Sequence, residues 1–389
     1  MRLMRSLRAT AVFGAVALAG FSMQAQAQET VKIGLIAPFT GAFALYGKQM
    51  EAGMRAYMKV HGDTVAGKKV EIIKRDTTGP LPDVSKRLAQ ELVVRDKVDF
   101  LAGFAFTPEV GAVAPIADKA KVPMVIMNAA GGGITLKSDY AMRVSMSLPQ
   151  IAAPMATWAV KNKIKNVVML ISDYSPGIDS EKAFKKEFVA GGGKILDSLH
   201  VPVNSPDFAP FIQRIKDLKP DAMFVFVPGG EQGIALMKAY RERGLEEAGI
   251  KVIGVGNMTD DHTLPAMGDV ALDAITAFHY SIAHKSPENT AFLKAYADVN
   301  PEGGRPDYLA LGGFDGMAAM YQVIEKLGGK MDGESAMGVI RGMKIDSPRG
   351  LVTIDPKTRD IVQTIYIRRV EKVGGQLYNV EFDQFANVH

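Results

Sequence analysis

Side chains able to make and break bonds are few and scattered along this 389-residue sequence. Six histidines, His61, His200, His262, His279, His284 and His389, form no H-x-x-x-H or comparable metal-ligand spacing. Asp260-Asp261-His262 is the densest ligand cluster, but such a trio serves equally as a helix cap or a solvated turn. There is no cysteine, hence no thiolate nucleophile, thiolate metal site or disulfide. No G-x-S-x-G elbow occurs, and no carboxylate pair is marked out by its surroundings. Gly131-Gly132-Gly133 and Gly229-Gly230-x-x-Gly233 follow apolar runs, where glycine loops can hold phosphate at a helix start. Neither matches G-x-G-x-x-G or the P-loop, so they read instead as backbone that comes close to a small ligand. No metal and no cofactor are expected. What remains is a set of aromatics in or beside loops, Phe39, Phe43, Tyr46, Phe104, Phe106 and Tyr174. If those loops share an edge, they make an apolar pocket with a few polar groups.

The elements that must bring those loops together alternate regularly. The stretch 98–133 contains an apolar run at 98–103, a loop at 104–107, and a helix beginning near Pro108, which suits a first-turn position. Val110, Val113, Ala114 and Ala117 give that helix an apolar face. A second apolar run at 123–127 ends in a loop, 128–133. This strand–helix–strand unit predicts two loops, 104–107 and 128–133, on one edge of a parallel sheet, where ligands bind. The same alternation runs from strand 31–37 through helix 46–60, strand 70–75 and helix 84–95. It restarts after Pro149 with helix 151–162, strand 166–172, loop 173–177, helix 180–190 and strand 195–201. Helix 208–218, strand 222–227, loop 228–230, helix 232–243 and strand 251–255 complete it. The pattern predicts an α/β protein with two units, each built on a parallel sheet. A strand-like run at 274–282, helices at 287–298, 308–327 and 335–343, and antiparallel strands at 351–354 and 363–370 close the chain.

Composition agrees with this outline. Hydrophobic residues make up 47% and charged residues 23%, ordinary for a soluble protein, and the length suits two domains. Arg2, Arg5 and Arg8, the apolar stretch 11–21 and the small-x-small site Ala25-Gln26-Ala27 predict a cleavable leader over residues 1–27. Without its three arginines the formal net charge drops from +4 to about +1. No basic stripe is left for nucleic acid.

The segments VKIGLIAPFTGAFALYG, VPMVIMNAA, ISDYSPG and AMFVFVPGGEQG, in this order and spacing, resemble the solute-binding proteins of branched-chain amino acid ABC transporters. The resemblance covers nearly all of the mature chain. It implies the type I periplasmic binding fold, two Rossmann-like lobes joined by a three-crossing hinge. The lobes would comprise 28–144 plus 280–350 and 145–279 plus 351–389. It further implies a periplasmic, monomeric receptor that closes on a small solute and delivers it to an inner-membrane ABC permease, not an enzyme. A secreted α/β enzyme and a sensory ligand-binding domain are the competing classes.

Carried over position by position, the resemblance puts Tyr46 on the ligand as the aromatic before the first helix. Thr107 takes the place of the residue that binds the ligand carboxylate. The loop that usually holds an amino acid head group reads Asn128-Ala129-Ala130, with Ala130 where a threonine is usual. Tyr174 lies where the second lobe offers a tyrosine. The usual acid for an α-ammonium is missing after strand 251–255, where Gly256 and Asn257 stand instead. With Phe43, Phe104, Phe106 and Gly229 from the loops, these make up the expected site. A buried ammonium without acceptors costs roughly 1–3 kcal/mol or more. The expected ligand is therefore a carboxylate without an α-amino group, an aromatic acid such as a benzoate or phenylpropenoate. A branched-chain or other hydrophobic amino acid is the alternative, should Asp260 or Asp261 supply the missing acid.

Overall fold

A computed structural model describes residues 30–203 and 207–389; the leader expected at 1–27 lies outside them. Central strands buried on both faces read as continuous apolar runs, and here they build two sheets. The first contains β1 (Thr30–Ala37), β2 (Thr64–Val65), β3 (Lys68–Asp76), β4 (Phe100–Gly103), β5 (Met124–Ile126) and β6 (Ala141–Arg143). Their spatial order is β2-β3-β1-β4-β5-β6, parallel except for β2. The crossovers are α1 (Ala44–His61), α2 (Pro82–Glu91) and α3 (Thr107–Ala120).

The second sheet is centred on β7 (Asn166–Ser172), β8 (Lys194–Val201), β9 (Ala222–Phe226), β10 (Lys251–Val255) and β11 (Ile275–Phe278), all parallel. Around it lie α4 (Leu148–Lys161), α5 (Ser175–Ala190), α6 (Ala209–Leu218), α7 (Glu231–Glu242) and the single turn α8 (Leu264–Met267). The chain then returns to the first lobe as α9 (Pro287–Val299) and α10 (Tyr308–Lys326), both packed on α1, and α11 (Gly333–Ile340). Strands β12 (Lys344–Ser347), β13 (Gly350–Ile354), β14 (Ile361–Val373) and β15 (Gln376–Val388) are antiparallel; β14 joins the second sheet beside β11. The two α/β lobes form the expected fold class. Strands β2, β6, β12 and β15 are additions to the sequence reading. Each is short, on an edge, or without clear alternation. Helix α5 starts at Ser175, five residues before the expected 180, because Pro176 and Gly177 open the helix rather than extend the loop.

Buried guanidinium groups tie the connections between lobes. Arg349 Nη2 donates to Asp315 Oδ2 of α10 at 2.9 Å and to Val144 O at 2.5 Å, and Nη1 reaches Ser145 O at 3.3 Å. Arg368 of β14 donates to Thr276 Oγ1, Gly256 O and Tyr280 O. Among the described residues, no helix is long and apolar enough to cross a membrane.

Candidate functional site

In each sheet the chain order reverses beside the first strand, between β1 and β4 and between β7 and β9, and these switch points form the crevice. A small cavity lies there, between the lobes. From the first lobe, Tyr46 of α1, Ala105, Phe106 and Thr107 after β4, and Asn128 and Ala130 after β5 line it. From the second come Tyr174 after β7, Pro176 of α5, Phe226 and Pro228 at the end of β9, and Asn257 after β10. Met146 and Leu148, where the chain crosses between lobes, form the remaining wall.

Aromatic faces dominate. Tyr46 stacks on Phe106 at 5.6 Å between centroids and 16° between planes, and Phe43 meets Phe106 edge-on at 4.9 Å. Across the cleft Tyr174 stacks on Phe226 at 5.9 Å. These rings supply a flat slot suited to another ring. Burial pushes the hydroxyls of Tyr46 and Tyr308 well above the ordinary phenol range, so both stay protonated.

Polar groups at the floor are fixed by the local backbone. Thr107 is the first residue of α3, and its Oγ1 accepts the Gly131 N–H at 3.0 Å, which leaves the hydroxyl proton for a ligand. A carboxylate there also meets the positive end of α3. Asn128 Nδ2 donates to Ala105 O at 2.7 Å, joining the two first-lobe loops. Beneath them Arg143, fully buried and paired with Asp360, donates to Ala129 O at 3.0 Å and Gly131 O at 2.8 Å. Arg143 thus holds the loop 129–131 from below.

Of the expected site residues, Tyr46, Phe106, Thr107, Asn128, Ala130, Tyr174 and Asn257 come together on this cavity. Phe104 does not. Its side chain is fully buried in the core under α3, and its backbone takes a left-handed φ of 64°, which turns Ala105–Thr107 into the cleft. Ala129 also faces that core, its N–H bonded to Phe104 O at 2.9 Å. Phe43 and Gly229 line a larger neighbouring cavity, which shares Tyr46 as a wall. Sequence reasoning missed Ala105, Met146, Leu148, Pro176, Phe226 and Pro228 as wall residues. The two prolines and Phe226, at the ends of apolar runs, carried a signal; Met146 and Leu148 carried none, because only the hinge path brings them here.

Asp260 and Asp261 do not reach the cavity wall. Asp260 accepts from Gly230 N at 3.0 Å, Thr263 N at 2.9 Å and Thr263 Oγ1 at 2.8 Å. Asp261 accepts from Ile282 N at 3.0 Å and Asn379 Nδ2 at 2.8 Å. Burial pushes the Asp261 carboxyl up to about 6 despite the nearby Arg368. No group of carboxylates and histidines among the described residues is arranged to hold a metal ion.

The sequence pattern of the family described as periplasmic binding protein matches residues 30–376. The chain belongs to the periplasmic binding protein family. This binding protein is 43% identical over 372 residues, 95% of each chain, to Leu/Ile/Val-binding protein homolog 6 of Brucella melitensis. It is 26% identical, over 90% of this chain and 92% of the relative, to the leucine-, isoleucine-, valine-, threonine- and alanine-binding protein of Pseudomonas aeruginosa. Among solved structures, an ABC transporter solute-binding protein from Rhodopseudomonas palustris BisB5, in complex with 3,4-dihydroxybenzoic acid, is 52% identical. Its TM-score is 0.89 over 92% of this binding protein and 98% of that chain. A second, from Rhodopseudomonas palustris HaA2 in complex with p-hydroxybenzoic acid, is 42% identical with a TM-score of 0.91 over 93% and 98%.

Proposed function

We propose that this protein is the solute-binding receptor of an ABC importer and captures an aromatic carboxylate between its lobes. We take the lobes as 28–144 with 280–350 and 145–279 with 351–389. Closure about the three crossings brings Tyr46, Phe106 and Thr107 onto one side of the ligand and Tyr174 and Asn257 onto the other. One observation carries the ligand class: none of the residues lining the cavity is charged, and the nearby Asp260, Asp261 and Asp307 are occupied by protein donors. An α-ammonium would be buried here with no carboxylate to meet it, at a cost of several kcal/mol for an unpaired charge. A carboxylate has the Thr107 hydroxyl and the start of α3, and a ring has the aromatic slot. Two similar solute-binding proteins whose complexes contain hydroxylated benzoic acids support the reading. The leader at 1–27 directs the receptor to the periplasm, where it acts as a monomer beside its permease and performs no catalysis.

Thermal unfolding of refolded, ligand-stripped protein tests this. Benzoates or phenylpropenoates are expected to raise the melting temperature, whereas leucine, isoleucine, valine and phenylalanine leave it unchanged. A shift with amino acids alone would mean that the ammonium is accommodated after all.

A further inference from the structure

Two amide oxygens at the cavity have no partner, and they come from opposite lobes. Asn128 is 7% exposed and Asn257 is 6% exposed; both line the cavity, and the Oδ1 of each is buried without a hydrogen bond. The orientation of Asn128 is not arbitrary. Its Nδ2 donates to Ala105 O at 2.7 Å, so a flipped amide would set oxygen against oxygen. Its Oδ1 is therefore an acceptor, buried and without a partner. Asn257 stands on the far wall, at the end of β10, held close by Gly229. A side chain at Gly229 would sit 3.2 Å from Asn257 O and 3.1 Å from Asp260 Oδ2.

Buried acceptors without donors are rare in native proteins and call for a partner in the working state. A carboxylate cannot serve Asn128, because it offers only acceptors. An unsubstituted benzoate has no donor elsewhere. Ring hydroxyls do.

We propose that the ligand is a hydroxylated benzoate, and that Asn128 and Asn257 accept hydrogen bonds from its ring hydroxyls while the carboxylate is held at Thr107. This rests on the aromatic-carboxylate reading above and narrows it. A hydroxyl gripped by Asn257 joins the second lobe to a ligand whose acid is held by the first. It thereby gives the closed state a contact that the open state lacks, which is what closure by a ligand requires. A ligand with two hydroxyls satisfies both amides. Sites built to hydrogen-bond a hydroxyl reject analogues without it strongly, because the site's own groups are then left unpaired.

Titration calorimetry on the refolded, ligand-stripped protein tests the proposal with 4-methylbenzoate, 4-hydroxybenzoate, 3,4-dihydroxybenzoate and leucine. The methyl compound matches the size of the hydroxyl and lacks its proton. Both hydroxylated acids are expected to bind at least about tenfold more tightly than 4-methylbenzoate, the scale of one unpaired buried acceptor. In Asn257→Leu and Asn128→Leu, each checked for a cooperative thermal transition, the ratio of hydroxyl to methyl affinity is expected to fall toward one. The wild-type series stands even if a variant does not fold. Equal affinities for 4-methylbenzoate and 4-hydroxybenzoate would overturn the proposal, with a water then serving the amides, but leave the aromatic-carboxylate reading intact. A hydroxyl preference that persists in both folded variants would overturn the assignment to these asparagines. Tight leucine binding with no benzoate bound would overturn the underlying reading itself.

Discussion

Glu109 is a buried acid that the site does not use directly. It is wholly buried in the first turn of α3, two residues beyond Thr107. One carboxyl oxygen accepts the Phe106 N–H at 3.0 Å and so fixes the loop that presents Phe106 and Thr107. The other, Oε1, has no partner. Burial pushes this carboxyl up to about 7, opposed chiefly by the Phe106 N–H. A native acid that holds its proton longer than the unfolded chain does makes stability fall as pH rises between the two values. The window here runs from about 4.5 to about 7, and a shift of this size corresponds to roughly 3 kcal/mol once Glu109 is ionised. Glu109→Gln keeps an acceptor for Phe106 and cannot ionise. Denaturant titrations from pH 4 to 8 are expected to show a shallower loss of stability in the variant. Identical pH slopes would mean that Glu109 does not titrate in this window.

Helix α10 is positioned by glycines that let backbone meet backbone. A side chain at Gly53 of α1 would lie 1.8 Å from Ala310 O, and one at Gly313 of α10 would lie 2.1 Å from Met50 O. Gly312 faces the other way, onto the end of β5, where an added carbon would sit 2.2 Å from Met127 O. Met127 directly precedes Asn128, so the seating of α10 sets the height of a cavity wall. Gly312→Ala is expected to destabilise the protein by about 1–3 kcal/mol, the cost of overpacking a tight site. It is also expected to weaken ligand binding, because the Met127–Asn128 backbone must move. Calorimetry together with a denaturation curve checks both effects; lost stability with unchanged affinity would separate the helix from the site. Phe104 shows the same principle in a turn. Its left-handed backbone is held by burial of the ring, and the next three residues enter the cleft because of it.

Between the lobes there are contacts outside the cavity. Asp179 of α5 accepts the Gly132 N–H at 2.9 Å, reaching from the second lobe to the loop after β5. Gln49 of α1 meets His262 of the second lobe at 2.8 Å. At the connections between lobes, Arg349, paired with buried Asp315, also holds the Val144 and Ser145 carbonyls, so it ties two of the connections together. Neither Asp179 nor Gly132 lines the cavity. A partly exposed hydrogen bond between the lobes contributes about 1 kcal/mol, so Asp179→Ala is expected to weaken ligand binding about fivefold, chiefly through faster release. Stopped-flow dissociation rates check this, and an unchanged rate would show that the contact does not favour the closed state.

The sequence by itself determined the alternation of strands and helices, the two α/β units and the edge from which the site is built. Those follow from local rules: apolar runs such as 166–172 make buried parallel strands, and prolines such as Pro108 start helices beside the loops that follow. Tyr46, Phe106, Thr107, Asn128, Ala130, Tyr174 and Asn257 were legible because each lies just beyond a strand or at a helix start. Only the tertiary structure decided which way each side chain points. Phe104 and Phe106 differ by two positions in one loop, yet one packs under α3 and the other faces the cleft, because the left-handed backbone of Phe104 turns the chain. Asp260 and Asp261 stood in the sequence as an available acid. Their oxygens are taken by Gly230, Thr263, Ile282 and Asn379, partners up to 118 positions away. Hydrogen-bond satisfaction is a long-range property that no local pattern records, and it left an uncharged cavity with two amide oxygens open to a ligand.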